Sequence, residues 1–376
     1  MDISNDESVH FFRKLNVNLL NIVLIGVVIY LGKGIILPIL FSALLATLLL
    51  PAVNYLRSKK FSQSISIILP LVMSLLTIGG ILYFLSTQIA HFFDDWDSLK
   101  DRANDLIRSL QKWVSENLNI ARRDQAEYLN ETAEKVKTAA PKIAGKTFLS
   151  LTESFSYIVL LPIYTFLILY YKSTIRKFLI ELFQKSSQKK VIDTLHSCSR
   201  VAQRYITGLL IETSLVFTLN TIGFLILGIK YAIFLALLAA LLNIIPYIGM
   251  IVANIFCMLI TLMTSENPTQ ALWVAAILAL VQFFDNNIGM PLIVGNSVRI
   301  NALVTIVGVL IGGALCGVPG MFLAIPTLAV LKVIFDRVEG LHPWATLLGD
   351  ETQQGRDEKG LKFIRKKNKG NGETKN

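Results

Sequence analysis

An all-α, polytopic integral membrane protein is the fold class that this sequence predicts, and three observations carry it. Hydrophobic residues make up 53% of the 376 residues and charged ones 16%, with a mean hydropathy of +0.57, against about 45–50% apolar and about 25% charged in soluble domains. The apolar residues come in runs long enough to cross a hydrocarbon core, which takes about 20 residues as helix. Two of those runs are too long for one straight span and are interrupted near their middles by proline and glycine.

In chain order, residues 1–16 are polar and mixed in charge, and the run at 17–32 is followed by no small-residue cleavage signature, so it reads as a retained first span. Runs at 35–55 and 64–86 complete three transmembrane helices over 17–86. Residues 87–147 form a connecting segment with ten Lys or Arg against ten Asp or Glu between 88 and 146. In it Trp96, Leu99, Ala103, Leu106, Leu110 and Trp113 alternate spacings of three and four, the rhythm of a helix with one apolar stripe. A fourth span falls in 148–172, and a basic linker over 173–204 reads as cytoplasmic interfacial helices. The stretch 205–336 holds runs at 205–228, 231–264, 271–285 and 302–335, making about eight hydrophobic segments in all. A basic tail fills 337–376.

The interruptions read Asn243-Ile244-Ile245-Pro246-Tyr247-Ile248-Gly249 and Gly317-Val318-Pro319-Gly320. Proline removes an N–H and glycine permits a reversal. Each arm is about 15 residues, roughly 22 Å of helix, short of a core of about 30 Å. Re-entrant helical hairpins are therefore expected, with two kinked spans as the alternative. Aligning Gly249 with Gly320 also pairs Met250 with Met321 and Ala253 with Ala324, a weak internal repeat.

Lysine and arginine mark cytoplasmic span ends. Arg13 and Lys14 precede the first span, Arg57, Lys59 and Lys60 follow the second, a dense set between Lys172 and Arg200 follows the fourth, and the tail carries Lys362, Arg365, Lys366, Lys367 and Lys369. Both termini are expected in the cytoplasm and residues 87–147 outside it. The net charge of +10 is explained by this topology and by anionic headgroups, so no nucleic-acid partner is inferred.

Chemistry is constrained by what the chain lacks. Cys198, Cys257 and Cys316 are far apart and read as unpaired thiols, and the four histidines are scattered, so neither a metal site nor a cofactor is expected. Without a P-loop or a G-x-S-x-G elbow, an enzyme is not expected and transport would be gradient-driven. Ionisable groups within spans are costly and mark function. Asp285, beside Asn286 in Gln282-Phe283-Phe284-Asp285-Asn286-Asn287, is the leading candidate for substrate or ion binding, with a helix-ending acid as the plain reading. Glu212 in the fifth run is a second, against a packing role, and Glu153 is interfacial. Asn243 and Asn254 flank the first break, and Asn220 bridges helices or joins a cavity. Pro246, Gly249, Pro291, Gly317, Pro319 and Gly320 are the expected hinges.

These breaks, together with Asp285-Asn286-Asn287, Pro291-Leu292-Ile293-Val294-Gly295-Asn296-Ser297-Val298 and the glycine-rich Leu310-Ile311-Gly312-Gly313-Ala314-Leu315, resemble the autoinducer-2 exporter family of permeases over nearly the full length. The resemblance implies transport and a plausible homo-oligomer in a bacterial-type inner membrane, since the family spans exporters of a quorum-sensing signal and sodium/proton antiporters. It departs from the family where Asp285 stands for Glu, where Met250 and Ala302 stand for Pro, and where Asn301 stands for a frequent His. Three functions are carried forward: export of a small polar metabolite, Na⁺ or Li⁺/proton antiport, and a non-transporting scaffold built on the Trp96 to Trp113 helix.

Overall fold

The computed structural model describes residues 3–95, scattered positions between 100 and 116, and residues 155–245, 248–265, 267–289 and 300–349. The Trp96 to Trp113 stripe, Glu153, the expected hinges Pro246 and Pro291, the 291–298 stretch and the basic tail beyond residue 349 lie outside the described residues.

Every element among the described residues is helical: α1 Ile3–Ser58, α2 Gln63–Asp94, α3 Phe155–Tyr170, α4 Lys172–Glu181, α5 Gln188–Ile226, α6 Ala232–Asn243, α7 Ile248–Thr264, α8 Thr269–Phe284 with a π turn Asp285–Gly289, α9 Ala302–Arg337 and α10 His342–Leu348. Five are long and apolar enough to cross a membrane, and α3, α6 and α7 are shorter apolar helices. Their apolar faces stand open, with Leu31 76% and Tyr83 74% exposed. Lipid is the solvent that such faces fit.

Two boundaries differ from the sequence reading. The runs at 17–32 and 35–55 lie on one continuous helix, α1, because Lys33-Gly34 removes no backbone donor and the Lys33 ammonium stays on the helix surface, 4.7 Å from the Tyr30 ring centroid. The separate second span is thereby replaced by a rod whose two basic ends do not flank a two-span hairpin. Likewise, the later part of the 173–204 linker is the start of α5, which continues without a break into the fifth apolar run. Only Lys172–Glu181 is a separate short helix.

The chain divides into two compact units, residues 1–48, 168–208 and 294–376 in one and 49–167 and 209–293 in the other. In the first unit, Phe41 of α1 stacks on Phe322 of α9 with ring centroids 5.5 Å apart. Arg337 donates to the Ser197 hydroxyl at 2.9 Å, and Lys190 pairs with Glu339 at 3.2 Å, so the basic start of α5 and the end of α9 share one side. Asn301 caps α9 by accepting from the Leu303 amide at 2.9 Å, and its own amide donates to the Leu348 carbonyl at 2.9 Å. α9 itself bends at Gly317, whose φ of 66° and ψ of −152° no L side chain adopts readily. A Cβ on Gly312 would stand 2.4 Å from the Gly320 carbonyl oxygen, and one on Gly308 would stand 2.6 Å from Leu328. Positions this far apart along a straight helix would be separated by about 12 and about 30 Å. The arms of α9 therefore run antiparallel as a helical hairpin, with Pro319 in the first turn of the second arm, where no intrahelical donor is lost.

The second unit is built on α5, α6, α7 and α8. Phe224, Leu235, Ala236, Cys257 and Val274 are fully buried where these four helices meet. The Cys257 thiol points at the Leu235 carbonyl at 3.7 Å, which places the two arms of the α6–α7 pair side by side and antiparallel. This is the second hairpin. In lipid, apolar transfer gives no force between helices, and close approach of small residues supplies the packing instead. Ala236, Ala239 and Ala253 serve that purpose, and Gly249 is the extreme case: a Cβ there would meet the Leu242 carbonyl oxygen at 1.7 Å. Gly320 has the equivalent relation to the Gly312 carbonyl, at 2.0 Å. The repeat that aligns Gly249 with Gly320 thus corresponds to one packing device used twice.

Gly249→Ala and Gly320→Ala should each lower thermal stability by about 1–3 kcal/mol or more through overpacking. Gly79→Ala, where nothing lies within 4 Å, should leave it unchanged or slightly raised. Thermal unfolding of the detergent-solubilised variants checks the contrast.

Candidate functional site

Glu212 projects from the middle of α5, Asn243 ends α6 at the tip of the α6–α7 hairpin, and Asp285 opens the π turn that ends α8. All three lie in the same unit. Asp285 is 4% exposed and Glu212 9%. The Glu212 and Asn243 side chains are both neighbours of the Asp285 carboxyl. Gln282, one turn earlier on α8, approaches Asp285 Oδ2 with its Nε2 at 3.5 Å and donates to Asn286 Oδ1 at 3.1 Å. Asp285 Oδ1 is buried without a hydrogen-bond partner among the described residues.

The π turn and Gly289 make room for this carboxyl. A Cβ on Gly289 would stand 2.9 Å from Asp285 Oδ1 and 3.5 Å from Leu215 of α5. Glycine here is a matter of space beside the acid. A π turn also presents an extra residue per turn and is frequent at functional sites.

Next to the pair, Val216, Asn220, Ala239, Asn243, Ala253, Asn254 and Gln282 help line a cavity of about 20 Å³, enough for one water. Asn220 is 1% exposed and its Oδ1 has no partner among the described residues. Asn254 spends its amide on the Met250 carbonyl of its own helix at 2.8 Å and offers the cavity its remaining polar atoms.

Of the candidates read from sequence, Asp285, Glu212 and Asn243 come together, and Asn254 lines the adjoining cavity. Asn286 does not join them: it is exposed, because one residue of helical rotation turns it away from the buried carboxyl, and only Gln282 links the two. Gly249, Gly317 and Gly320 act in the hairpins, at their bends and arm contacts. Gln282 was legible as a polar residue one turn before Asp285, on the same helix face. Gly289 and Thr261 were missed, since a glycine or threonine in an apolar run carries no chemical signal of its own.

At the other end of these helices, Asp95 receives the Lys230 ammonium at 2.5 Å and the Tyr231 hydroxyl. Tyr231 sits at φ 65°, a conformation uncommon for a non-glycine residue. The Lys230 ammonium first, and the Tyr231 hydroxyl second, hold the Asp95 carboxyl below its ordinary range, and Asp95 in turn holds Lys230 above its own. The latch therefore contributes stability above the ordinary carboxylate range and loses it as pH falls through the lowered Asp95 value. At the alkaline end it is lost only as pH rises through the raised Lys230 value.

The family described as AI-2E family transporter matches residues 19–340. The chain is 26% identical over 310 residues to "Putative transport protein YrrI" of Bacillus subtilis, covering 80% of this chain and 86% of that one. It is 26% identical over 319 residues to "Putative transport protein MT0215" of Mycobacterium tuberculosis, covering 83% and 85%. To "Putative permease PerM" of Escherichia coli K12 it is 24% identical over 322 residues, covering 84% and 89%.

Gly289→Ala should displace the Asp285 carboxyl and reduce transport about tenfold or more, as a 1 Å misplacement at a working site does, with the protein still folded. Transport and thermal unfolding measured on one preparation separate the two effects. Cleavage or labelling of the 228–231 loop should be flat through neutral pH, rise in acid, and be raised at every pH in Asp95→Asn.

Proposed function

The chain belongs to the AI-2E family of membrane transporters, and from that premise we propose a secondary transporter that exports a small polar solute, autoinducer-2-like in size and polarity, coupled to protonation of the Glu212–Asp285 pair. The observation that carries this reading is the Asp285 carboxyl, 4% exposed with Oδ1 unpartnered and a second carboxyl beside it. Ionisable groups so placed in an apolar helix bundle are expensive and mark ion or proton pathways. Two carboxylates only accept, so the two groups can share a hydrogen bond only when one of them carries a proton. The pair can therefore take up and release a single positive charge. Asn243 ties that event to the hairpin tip, so movement of the tip would make or break the site.

Monovalent cation/proton antiport is the second reading. It is favoured by the size of the cavity beside the pair, about 20 Å³, which suits an ion or a water and would have to widen for a metabolite.

The orientation we propose puts the side carrying Lys190, Arg337 and Glu339 in the cytoplasm of a bacterial-type inner membrane, because Lys and Arg concentrate there. The C-terminus follows it. Within the second unit, the α6–α7 hairpin has its base beside the Lys230 loop and its tip, at Asn243, beside the carboxyl pair.

The test is reconstitution of the full chain into liposomes with a trapped pH dye. Wild type should move protons in response to a solute or sodium gradient, and Asp285→Asn and Glu212→Gln should reduce that movement to a few per cent, about 2 kcal/mol of lost coupling or more. Response to sodium alone selects antiport; response only to added solutes selects export. Wild-type rates in a folded Asp285→Asn protein would remove the carboxyl pair from the mechanism.

A further inference from the structure

The second unit holds another polar space, separated from the carboxyl pair along all four helices. It is a pocket of about 380 Å³ lined by Gly228 and Lys230 after α5, by Thr261, Thr264 and Ser265 at the end of α7, and by Gln270 at the start of α8, among others. Its charge is balanced, since the Lys230 ammonium is held by Asp95. What remains is hydroxyl and amide chemistry, which suits a small hydrophilic solute and its water.

Thr261 shows that the pocket is meant to be wet. Threonines in these helices fold their hydroxyls back on the preceding turn: Thr165 donates to the Leu161 carbonyl, Thr218 to Ser214, Thr221 to Phe217 and Thr264 to Ile260, all at 2.7–2.8 Å. Thr261 does not. It is 0% exposed, its hydroxyl has no partner among the described residues, and it lines the pocket. An orphaned buried hydroxyl is costly, a penalty that a pocket water or a solute removes.

Between this pocket and the cavity beside Asp285, each helix contributes one residue, and all four are 0% exposed. On α5, Phe224 falls between Asn220 in the cavity and Gly228 in the pocket. On α7, Cys257 falls between Asn254 and Thr261; on α8, Val274 falls between Leu278 and Gln270. On α6, Leu235 falls between Ala239 and the Lys230 loop. The Cys257–Leu235 contact at 3.7 Å and the common core of all four put them at one level. The residues that flank the layer on each helix are about two helical turns apart, with unpartnered polar atoms of Thr261 and Asn220 on its two sides.

We propose that the pocket is a loading site for a small hydrophilic solute, and that the Phe224, Leu235, Cys257 and Val274 layer is the gate between it and the cavity beside the Glu212–Asp285 pair. A constriction of packed apolar side chains excludes water until it parts. Parting requires only that the arms of the α6–α7 hairpin shift against α5 and α8, since α6 and α7 supply two of the four residues. The role of the gate in transport rests on the function proposed above; the existence of the barrier does not.

The barrier is tested by the reactivity of Asn220→Cys in the full-length detergent-solubilised chain, with Cys198 and Cys316 replaced by alanine, Cys257 replaced by valine so that the layer stays filled and apolar, and a small cationic methanethiosulfonate as probe. With Phe224 in place, modification should be slow, and Phe224→Ala should accelerate it about tenfold or more. Val274→Thr, nearly isosteric, should accelerate it in the same direction by wetting the layer, and covers the case in which Phe224→Ala does not fold. Thr165→Cys, buried elsewhere in the unit, should stay unreactive in every background. Equal rates in the parent and both variants, or acceleration at Thr165→Cys as well, would overturn the gate. Repeating the series with Asp285→Asn separates the two ideas: a gate independent of the carboxyl pair gives the same acceleration, whatever the transport assay returns.

Discussion

The contact between Gly249 and the Leu242 carbonyl is the constraint on which the site depends. Backbone that leaves the helix at membrane depth survives only where protein or water satisfies it, and here the reversal is held by an approach so close that a methyl group cannot be inserted. The approach fixes the tip of the α6–α7 hairpin. Asn243 is the last residue of α6 before that tip, so its distance from Asp285 is set by how tightly the arms close. Backbone packing and carboxyl chemistry are in this way one structural fact. The same device at Gly320 and Gly312 holds the α9 hairpin, although no acid is associated with that tip among the described residues.

Polar groups in this protein divide into those that are locally satisfied and those that are not. Most hydroxyls and amides in the helices bond to their own preceding turn, as Thr47, Thr77, Asn254 and Asn287 do. These cost little and carry no function by themselves. The buried exceptions among the described residues are Asn220, Thr261 and Asp285, and all three belong to the unit that also contains both spaces. Since an unmade buried hydrogen bond is expensive, their concentration there distinguishes a solvated route from ordinary helix packing.

Much of this was legible in the sequence because a bilayer constrains a chain strongly. The helical class, the apolar runs and the two breaks follow from composition and from Pro246, Gly249, Gly317 and Pro319, and Asp285 and Glu212 were conspicuous as acids in apolar surroundings. The partition into helices was less legible. Lys33 and its flanking glycines look like a boundary, but a surface lysine and two glycines weaken a helix without breaking it, so α1 continues. The π turn was hidden because Asp285-Asn286-Asn287 reads equally as a helix end, and only the backbone reveals that it extends to Gly289. The pocket was hidden for another reason. Lys230, Thr261 and Gln270 are distant in sequence, and only antiparallel helices bring them together.

The order of levels along the bundle also limits how the site can work. Asp285 is about 22 Å of helix rise from Gln270 at the pocket, most of a hydrocarbon core of about 30 Å. The pocket and the carboxyl pair are therefore well separated along the helices, with the apolar layer between them. With the layer closed, as it is here, the pair is shielded from the pocket. When the layer parts, the same pair faces the pocket. One hairpin that carries both Asn243 at its tip and two of the four layer residues on its arms can change the coordination of Asp285 and its access in the same displacement. That coincidence is what coupled transport requires, because a carrier that changed access without changing affinity would leak, and one that changed affinity without changing access would only bind.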